Sequence, residues 1–466
     1  LIYDVVVVGS GFSAIAMVCN LLELLPREAK LAVIGDDPGF GRGTAYRSEL
    51  YLHRLNVPAG RMSLFPDRPD DFAHWLKSRD IPLQQGDFAK RSDYGLYLRD
   101  TLARLLRRRS ERCSVEFIRA KATGCVEQYN GTLAFQLHNG DQIAGRHIVL
   151  CLGVGSADLP VDTSRLPSSV RSRVVDNPWR LSWMNRVKPQ DPVCILGSGL
   201  TMIDQVLGLR SHGHRGQITV LSRRGLAPHP HTAQPVAPAT IDAEALPPTV
   251  SGILSELRRR ARGERDWRAV MEGVRPFTQK IWQNLPPAER SRFLRHALPW
   301  WSIHRHRIAP DVFSIFDPLV KDGTLRFQAG FIKSLEEADG DVMVGYRRRG
   351  SQVLDVVRTR WLVNCTGMER AGIKHSPLLK EMSAQELIKP DPLGLGIQVN
   401  GESRVSGAAR RSSADLFVVG ALAAGQFWEI TAVPDIRVQA RKVAETIASD
   451  RRVTTQKIDA VQPSPT

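Results

Sequence analysis

The stretch Tyr3-Asp-Val-Val-Val-Val-Gly-Ser-Gly-Phe-Ser-Ala14 decides how the rest of the chain is read. Four consecutive valines leave no polar face, the pattern of a parallel strand buried on both sides. Gly9, Gly11 and Ala14 then follow at the spacing Gly-x-Gly-x-x-Gly/Ala, with Ser10, Phe12 and Ser13 between them, and an apolar helical stretch runs from Ile15 to Leu25. Such a turn lets the backbone approach a pyrophosphate, whose charge settles at the positive end of the helix. A second strand at Leu31 to Ile34 completes a strand, helix, strand unit. An acid at its end would hold a ribose hydroxyl; the first position there is Gly35, which leaves Asp36 as the candidate.

The same pattern returns at Val193-Cys-Ile-Leu196, which runs into Gly197-Ser198-Gly199-Leu200-Thr201-Met202 and a helix through Leu209. Met202 stands at the third position, so this helix is expected to pack less closely on its sheet. The partner strand, Ile218 to Leu221, ends in Ser222-Arg223-Arg224. Arginine in place of the acid pairs with a 2′-phosphate, which favours NADPH over NADH. Two dinucleotide turns imply two different dinucleotides, and FAD on the first with NADPH on the second is the simplest assignment. Gly153 and Gly367 end the strands Ile148 to Leu152 and Trp361 to Asn364, where the chain would cross between lobes. The expected fold is α/β with two Rossmann-like dinucleotide-binding domains. A discontinuous FAD domain takes residues 1–155 and 366–466. An NAD(P)H domain, 156–365, is inserted and carries a helical insertion at 250–308.

Composition fits this. With 466 residues, 42% apolar and 24% charged, the chain is globular in type rather than disordered or fibrous, and long enough for two or three domains. No run of about 18 apolar residues occurs, so neither a membrane span nor a secretory signal is expected, and the reading is a soluble, cytoplasmic protein. Cys19, Cys113, Cys125, Cys151, Cys194 and Cys365 never form a Cys-x-x-Cys pair, which leaves neither a redox dithiol nor a zinc ribbon. The 64 basic and 48 acidic side chains give a net charge of +16, but the arginine runs at 104–112 and 258–262 lie in no nucleic-acid-reading motif. Neither a nucleic acid nor a membrane is therefore an expected partner.

Along the remaining chain, residues 42–75 are expected as loop, 95–109 as helix and 115–138 as short strands. Pro228 to Pro248 reads as a long loop and 250–308 as helices holding Trp267, Trp282, Trp300 and Trp301. Strand patterns recur near 325–344 and at Leu416 to Val419. A loop from Gly420 to Pro434 precedes a helix from Asp435 to Ile447, and a polar tail from Ser449 is expected to fray.

These units resemble, together with Gly41-Arg-Gly-Thr-Ala-Tyr46, Leu55-Asn-Val-Pro-Ala59, Met62-Ser63, Pro66-Asp67, Trp300-Trp-Ser-Ile-His-Arg-His306, Asn364-Cys-Thr-Gly367 and the stretch 428–439, a bacterial family of FAD/NAD(P)-binding proteins. The resemblance covers nearly the whole chain. That family is similar to the class B flavin monooxygenases, including amine and amino-acid N-hydroxylases, and the resemblance implies FAD, NAD(P)H and an oxidoreductase. Read physically, Tyr46, Asn56, Val57, Pro58 and Met62 belong to a segment along the isoalloxazine edge, Asn56 offering its amide and Val57-Pro58 an apolar wall. The last helix, past Gly420 and Pro434, is expected to aim its N-terminus at the flavin pyrimidine.

For chemistry, a flavin monooxygenase needs its protein chiefly to position partners and exclude water. No Ser-His-Asp set is evident. The pairs His212/His214, His229/His231 and His304/His306 lack a third ligand at metal spacing, so no metal is expected. Trp300, His304 and His306, with the intervening arginines, form a candidate pocket for an anionic or carboxylated substrate, or a helix plugging a groove. Trp428 and Glu429 are further candidates, Glu429 as a partner for an amine. The expected activity is an FAD-dependent, NADPH-preferring monooxygenase using O2 on a small polar or amine-bearing metabolite. The alternatives are a reductase or dehydrogenase with another acceptor, and a flavin-binding sensor without turnover.

Overall fold

The computed structural model describes residues 2–37, 40–47, 52–108, 112–153, 155, 158–367, 373, 376–407 and 414–450; the tail expected to fray lies, past residue 450, outside them. In chain order the elements begin with β1 (Ile2–Val8), α1 (Phe12–Leu24), β2 (Lys30–Ile34), α2 (Asp71–Ser78), α3 (Arg91–Arg107), β3 (Ser114–Ile118), β4 (Ala122–Glu127), β5 (Leu133–Leu137) and β6 (Gln142–Leu150). Next come α4 (Ser168–Arg171), β7 (Val174–Val175), β8 (Val193–Leu196), α5 (Leu200–Ser211) and β9 (Ile218–Ser222). A helical run holds α6 (Val250–Gly263), α7 (Arg268–Val274), α8 (Thr278–Asn284), α9 (Pro287–Arg292), α10 (Leu298–Arg305) and α11 (Pro310–Lys321). It is followed by β10 (Leu325–Ala338), β11 (Asp341–Arg348), β12 (Leu354–Thr359), β13 (Trp361–Asn364), α12 (Pro377–Ala384), β14 (Asp415–Val418) and α13 (Val433–Ala448).

By internal contacts the chain divides into two units. Leu1–Glu49, Val57–Gly155 and Arg370–Thr466 make the first; Leu50–Asn56 and Ser156–Glu369 make the second.

In the first unit the sheet order is β3-β2-β1-β6-β5-β4, with β14 also on β6. One edge of β6 serves two partners: residues 142–145 run antiparallel to β5, and 147–150 run parallel to β14, while its other edge pairs with β1. Strand order therefore reverses between β1 and β6, which opens a crevice at their carboxyl ends. Val5 to Val8 are at most 2% exposed, as a valine run covered on both faces must be. The helix α1 is buried from Ala14 to Leu22 because it packs against α3 and α13. On α13 the buried residues Val433, Ile436, Ala440, Val443, Ala444 and Ile447 recur every three or four positions, the stripe of a helix with one covered face.

In the second unit the order is β12-β11-β10-β9-β8-β13-β7. Here β7, β13, β8, β9 and the first part of β10 are parallel, and the order reverses between β8 and β13. Residues 325–329 of β10 pair with β9, and 330–338 continue into an antiparallel meander with β11 and β12.

Several sequence expectations change. The loop expected over 42–75 contains α2, whose Phe72 and Leu76, one turn apart, are buried. The strand β12 lies outside the expected strands, because its outward residues Leu354 and Val356 are apolar yet 67% and 59% exposed, which breaks the in/out alternation. The segment carrying Asn56 does not go with the first unit. Arg54 Nε donates to Asp311 Oδ2 at 2.7 Å, and the Asn56 carbonyl accepts from His231 Nε2 at 3.2 Å, which ties this strap into the second unit. No helix among the described residues is long and apolar enough to cross a membrane.

Candidate dinucleotide sites

The two glycine turns are built alike. The Gly9 N–H donates to Ile34 O at 2.8 Å, and the Gly197 N–H to Leu221 O at 2.9 Å. From the strand across the crevice, Cys151 N–H reaches Val8 O at 2.8 Å, and Cys365 N–H reaches Leu196 O at 2.7 Å. Gly9 and Gly197 take φ of +139° and +96°, and a Cβ on either would lie 2.3 or 2.1 Å from the carbonyl oxygen of Cys151 or Cys365. Only glycine fits such a site, since the left-handed backbone and the missing side chain are both needed. Two residues on, Gly11 and Gly199 cap α1 and α5 with no side chain satisfying the first N–H groups. Space opens there: a Cβ on Gly11 would meet nothing nearer than Gly43 Cα at 3.9 Å, and one on Gly199 nothing within 4 Å. Each turn thus presents helix N–H groups to an open cradle, the arrangement that binds a phosphate.

In the first unit, the Gly41 N–H donates to Ser10 O at 2.9 Å and brings the 41–46 loop over the turn. Phe12, Tyr46 and Tyr94 form an aromatic triangle, with ring centroids 6.2, 6.1 and 4.8 Å apart. Burial pushes the Tyr46 phenol up to about 12 and the Tyr94 phenol well above its ordinary value. Gly420, after β14, lies against Ser13 and donates its N–H to Gln439 Oε1 at 2.9 Å, which joins α13 to the turn. Pro434 is the second residue of α13, and Arg437 further along donates to Ser63 O at 3.0 Å. Burial holds the Arg437 guanidinium below the usual arginine range, against the opposing pull of Tyr94, Tyr97 and Asp435. Three buried polar atoms here, Arg42 Nε, Tyr94 Oη and Arg437 Nε, have no hydrogen-bond partner among the described residues. Buried polar atoms are normally satisfied, so a polar ligand such as FAD fits this cradle. The sequence did not single out Tyr94 or Arg437, because Tyr94 meets Phe12 and Arg437 meets Ser63 only through tertiary packing.

Met62 is 2% exposed, and Pro58 starts a single helical turn, Ala59–Arg61, after Val57. A Cβ on Gly153 would meet nothing within 4 Å, so the crevice mouth is open there, as it is at Gly367 in the second unit. Asp36 is exposed at the end of β2, whereas Asp37 is buried and its Oδ2 lies 2.7 Å from Arg47 Nη2.

In the second unit, the hydroxyls of Ser198 and Ser222 are 3.1 Å apart, and Ser222 Oγ accepts the Gly225 N–H at 3.0 Å, which fixes the strand end carrying Arg223 and Arg224. Leu200 and Thr201 form the first turn of α5, and Met202 is fully buried. Arg224 Nη2 donates to His296 O at 3.3 Å, and its guanidinium lies 5.9 Å from the Trp300 ring. Burial lowers the Arg224 pKa, with Arg349 and Arg223 adding to the effect.

The structure splits the candidate pocket around α10. Trp300, 46% exposed, goes with Arg224. His304 packs instead on His229 and Trp267, both 4.7 Å away between ring centroids, and the Arg268 guanidinium lies 4.5 Å from the Trp267 ring. His306 is half-buried just past the helix. Trp428 lies in the first unit, followed by Glu429, which is buried at φ +63° in the turn leading to α13. Of the three His-x-His pairs, His212 and His214 bond to Gly208 O and Asp191 O, whereas His229 and His304, from the other two pairs, meet ring to ring. Among the described residues, the group spaced for a cation is His147, Asp415 and Asp450. There the two ring nitrogens face different acids, at 3.3 and 3.7 Å, and Arg404 also pairs with Asp415, so the cluster ties the end of α13 to the sheet. All six cysteines are buried and free, and burial raises each thiol.

His231 supplies a pH test of this unit. Burial, then Arg307, lowers its pKa from 6.5 to about 3. The folded state thus resists a proton that the unfolded chain accepts, so the stabilisation is complete above pH 6.5 and declines as pH falls toward 3. The slope is about 1.4 kcal/mol per pH unit, so roughly 2–3 kcal/mol should be lost from this residue between pH 6.5 and 4.5. Urea unfolding of wild type and His231→Asn at both pH values checks this; parallel losses in the two proteins would refute it.

Residues 6–155 match the model of a family described as FAD-NAD(P)-binding. Uncharacterized proteins of Mycobacterium tuberculosis and Mycobacterium bovis are 24% identical over 280 residues, covering 55% of this chain and 50% of theirs. The match spans about half the length of those relatives. Among solved structures, the ornithine N-hydroxylase of Kutzneria sp. 744, with reduced FAD, NADP+ and L-ornithine, superposes with a TM-score of 0.68 at 14% identity, covering 97% of this chain and 100% of that one. The ornithine hydroxylase of Pseudomonas aeruginosa gives 0.67 at 16%, covering 96% and 99%. The FAD-bound cadaverine monooxygenase of Erwinia amylovora gives 0.66 at 17%, covering 97% and 96%. At these identities the likeness establishes a shared two-domain fold.

Proposed function

We propose that the chain is an FAD-dependent, NADPH-preferring monooxygenase that N-hydroxylates a small amine-bearing metabolite. The observation that carries this reading is the doubled turn, with matching hydrogen bonds at Gly9 and Gly197 and open space at Gly11 and Gly199. One cradle would hold FAD, bordered by Arg42, Tyr94 and Arg437; the other would hold NADPH, bordered by Ser198, Arg223 and Arg224. Bound FAD supplies the redox chemistry, taking two electrons from NADPH and passing them to O2, with one oxygen atom ending on the amine and the other in water. The chain's own work is to hold the nucleotides and keep water out. Support for an amine comes from the folds it shares with ornithine and cadaverine hydroxylases. The buried, proton-retaining cysteines disfavour a thiol-disulfide reductase, because the thiolate is the reactive form.

Mass spectrometry of the ligand released from purified protein should find FAD. NADPH oxidation should then yield a hydroxylamine from one member of a panel of diamines and basic amino acids. NADPH oxidation with no oxygenated product across that panel would replace the reading with a reductase. Arg223→Ala combined with Arg224→Ala should raise the KM for NADPH by about tenfold or more, as expected for lost charge-assisted contacts, and leave that for NADH nearly unchanged. Equal changes for both coenzymes would refute the NADPH assignment.

A further inference from the structure

We infer that Arg349 and Trp300 complete a 2′-phosphoadenosine subsite at the end of β9, Arg349 as a third cation for the 2′-phosphate and Trp300 as a flat platform for the purine. The inference rests on the NADPH assignment above. Its starting point is the register of the sheet, in which Ser222 at the end of β9 lies beside Ala329 of β10. The Arg349 N–H donates to Ala329 O at 2.8 Å, and Arg349 Nη1 donates to Arg223 O at 3.3 Å. A residue 126 positions away in sequence is thereby brought to the same strand end as Arg223 and Arg224.

The charges around this point differ from those elsewhere in the same meander. In the same meander, Arg348 pairs with Asp355 at 2.6 Å, and Arg358 and Arg360 pair with Asp341 at 2.8 and 3.1 Å. Arg223, Arg224 and Arg349 have no acidic partner among the described residues, and like charge from Arg349 and Arg223 adds to the burial that lowers the Arg224 pKa. Three arginines gathered at one strand end, with no acidic partner among the described residues, suit a dianionic phosphate, which guanidinium forks bind strongly.

Trp300 is placed by the helical run. The chain widens into a π turn at Phe293–Ala297 just before Pro299, and the His296 carbonyl in that turn accepts from Arg224. The indole that follows is 46% exposed with the Arg224 guanidinium 5.9 Å from its ring. A large exposed indole at the edge of a phosphate-binding cluster is positioned to stack on a base, an interaction that depends on the flat ring rather than on hydrogen bonding.

Titration of the purified holoprotein with 2′,5′-ADP and with 5′-AMP, followed by calorimetry, separates the two roles. Wild type should prefer 2′,5′-ADP. Arg349→Ala should weaken 2′,5′-ADP by about tenfold and leave 5′-AMP unchanged, since only the former carries the added phosphate. Trp300→Ala should weaken both by about tenfold, and Trp300→Phe should restore most of the loss, as stacking requires. Arg349→Ala with wild-type affinity for 2′,5′-ADP, or Trp300→Ala with wild-type affinity for both, would overturn the proposal. Equal binding of the two nucleotides by wild type would overturn it together with the NADPH preference. The flavin content of the same samples is read independently, so absence of FAD would count against the monooxygenase reading and not against this subsite.

Discussion

Gly11→Ala should yield a folded protein that purifies without flavin. The backbone at Gly11 has φ of −94°, which alanine adopts freely, and the nearest atom to an added methyl is 3.9 Å away. The substitution therefore costs the fold little, about 1 kcal/mol or less for alanine at a helix N-cap. The methyl instead stands in the cradle where a pyrophosphate must touch backbone N–H groups, and a loss of about 100-fold or more in FAD affinity is expected from excluding that contact. Gly9→Ala is the contrasting control. Its methyl would lie 2.3 Å from Cys151 O at φ +139°, so it should impair folding itself. Gly199→Ala, with nothing within 4 Å, should keep flavin and lose nicotinamide-nucleotide binding. The 450 nm absorbance relative to 280 nm, together with the melting temperature, distinguishes these outcomes. A yellow Gly11→Ala protein with wild-type flavin content would show that the first turn is not the flavin cradle.

The contrast among these glycines also marks what the sequence could disclose. Buried strands announce themselves locally, because a run such as Val5 to Val8 or Trp361 to Asn364 has no polar face to turn to water. Both glycine turns were legible for the same reason, since strand, turn and helix lie in one short window. The partners of those turns were not. Arg349 reaches Arg223 only because β10 carries the chain past β9 and β11 brings it back, and Tyr94 meets Phe12 only through the packing of α3 on α1. Nothing in local spacing encodes either approach. Trp300 and His304 read as one pocket in sequence, being one helical turn apart, but one ring faces Arg224 and the other His229. Nor does local spacing show that the backbone carbonyl of Asn56, a residue expected to offer its side-chain amide to the flavin, accepts from His231 in the second unit.

The segment carrying His231 runs beside a buried charge, and removing that charge should have the largest effect on stability. Arg307 is 5% exposed and pairs with Glu272. Its neighbour Ile308 exchanges backbone hydrogen bonds with the 229–231 segment: Ile308 N–H donates to His229 O at 2.9 Å, and His231 N–H donates to Ile308 O at 2.8 Å. Glu272→Ala leaves a guanidinium buried without its counter-ion, which costs about 3–5 kcal/mol. Arg307→Ala leaves the carboxylate of Glu272 behind and opens a cavity, with a loss in the same range of about 3–5 kcal/mol. Replacing both partners by apolar residues of similar size, as in Arg307→Met with Glu272→Leu, should cost much less than either single change, because no uncompensated charge remains. Urea denaturation of the four proteins measures this cycle. A double variant as unstable as the sum of the singles would mean that the two side chains act independently. A coupling of several kcal/mol would show that the pair anchors residue 307, whose neighbour Ile308 is hydrogen-bonded to the 229–231 segment.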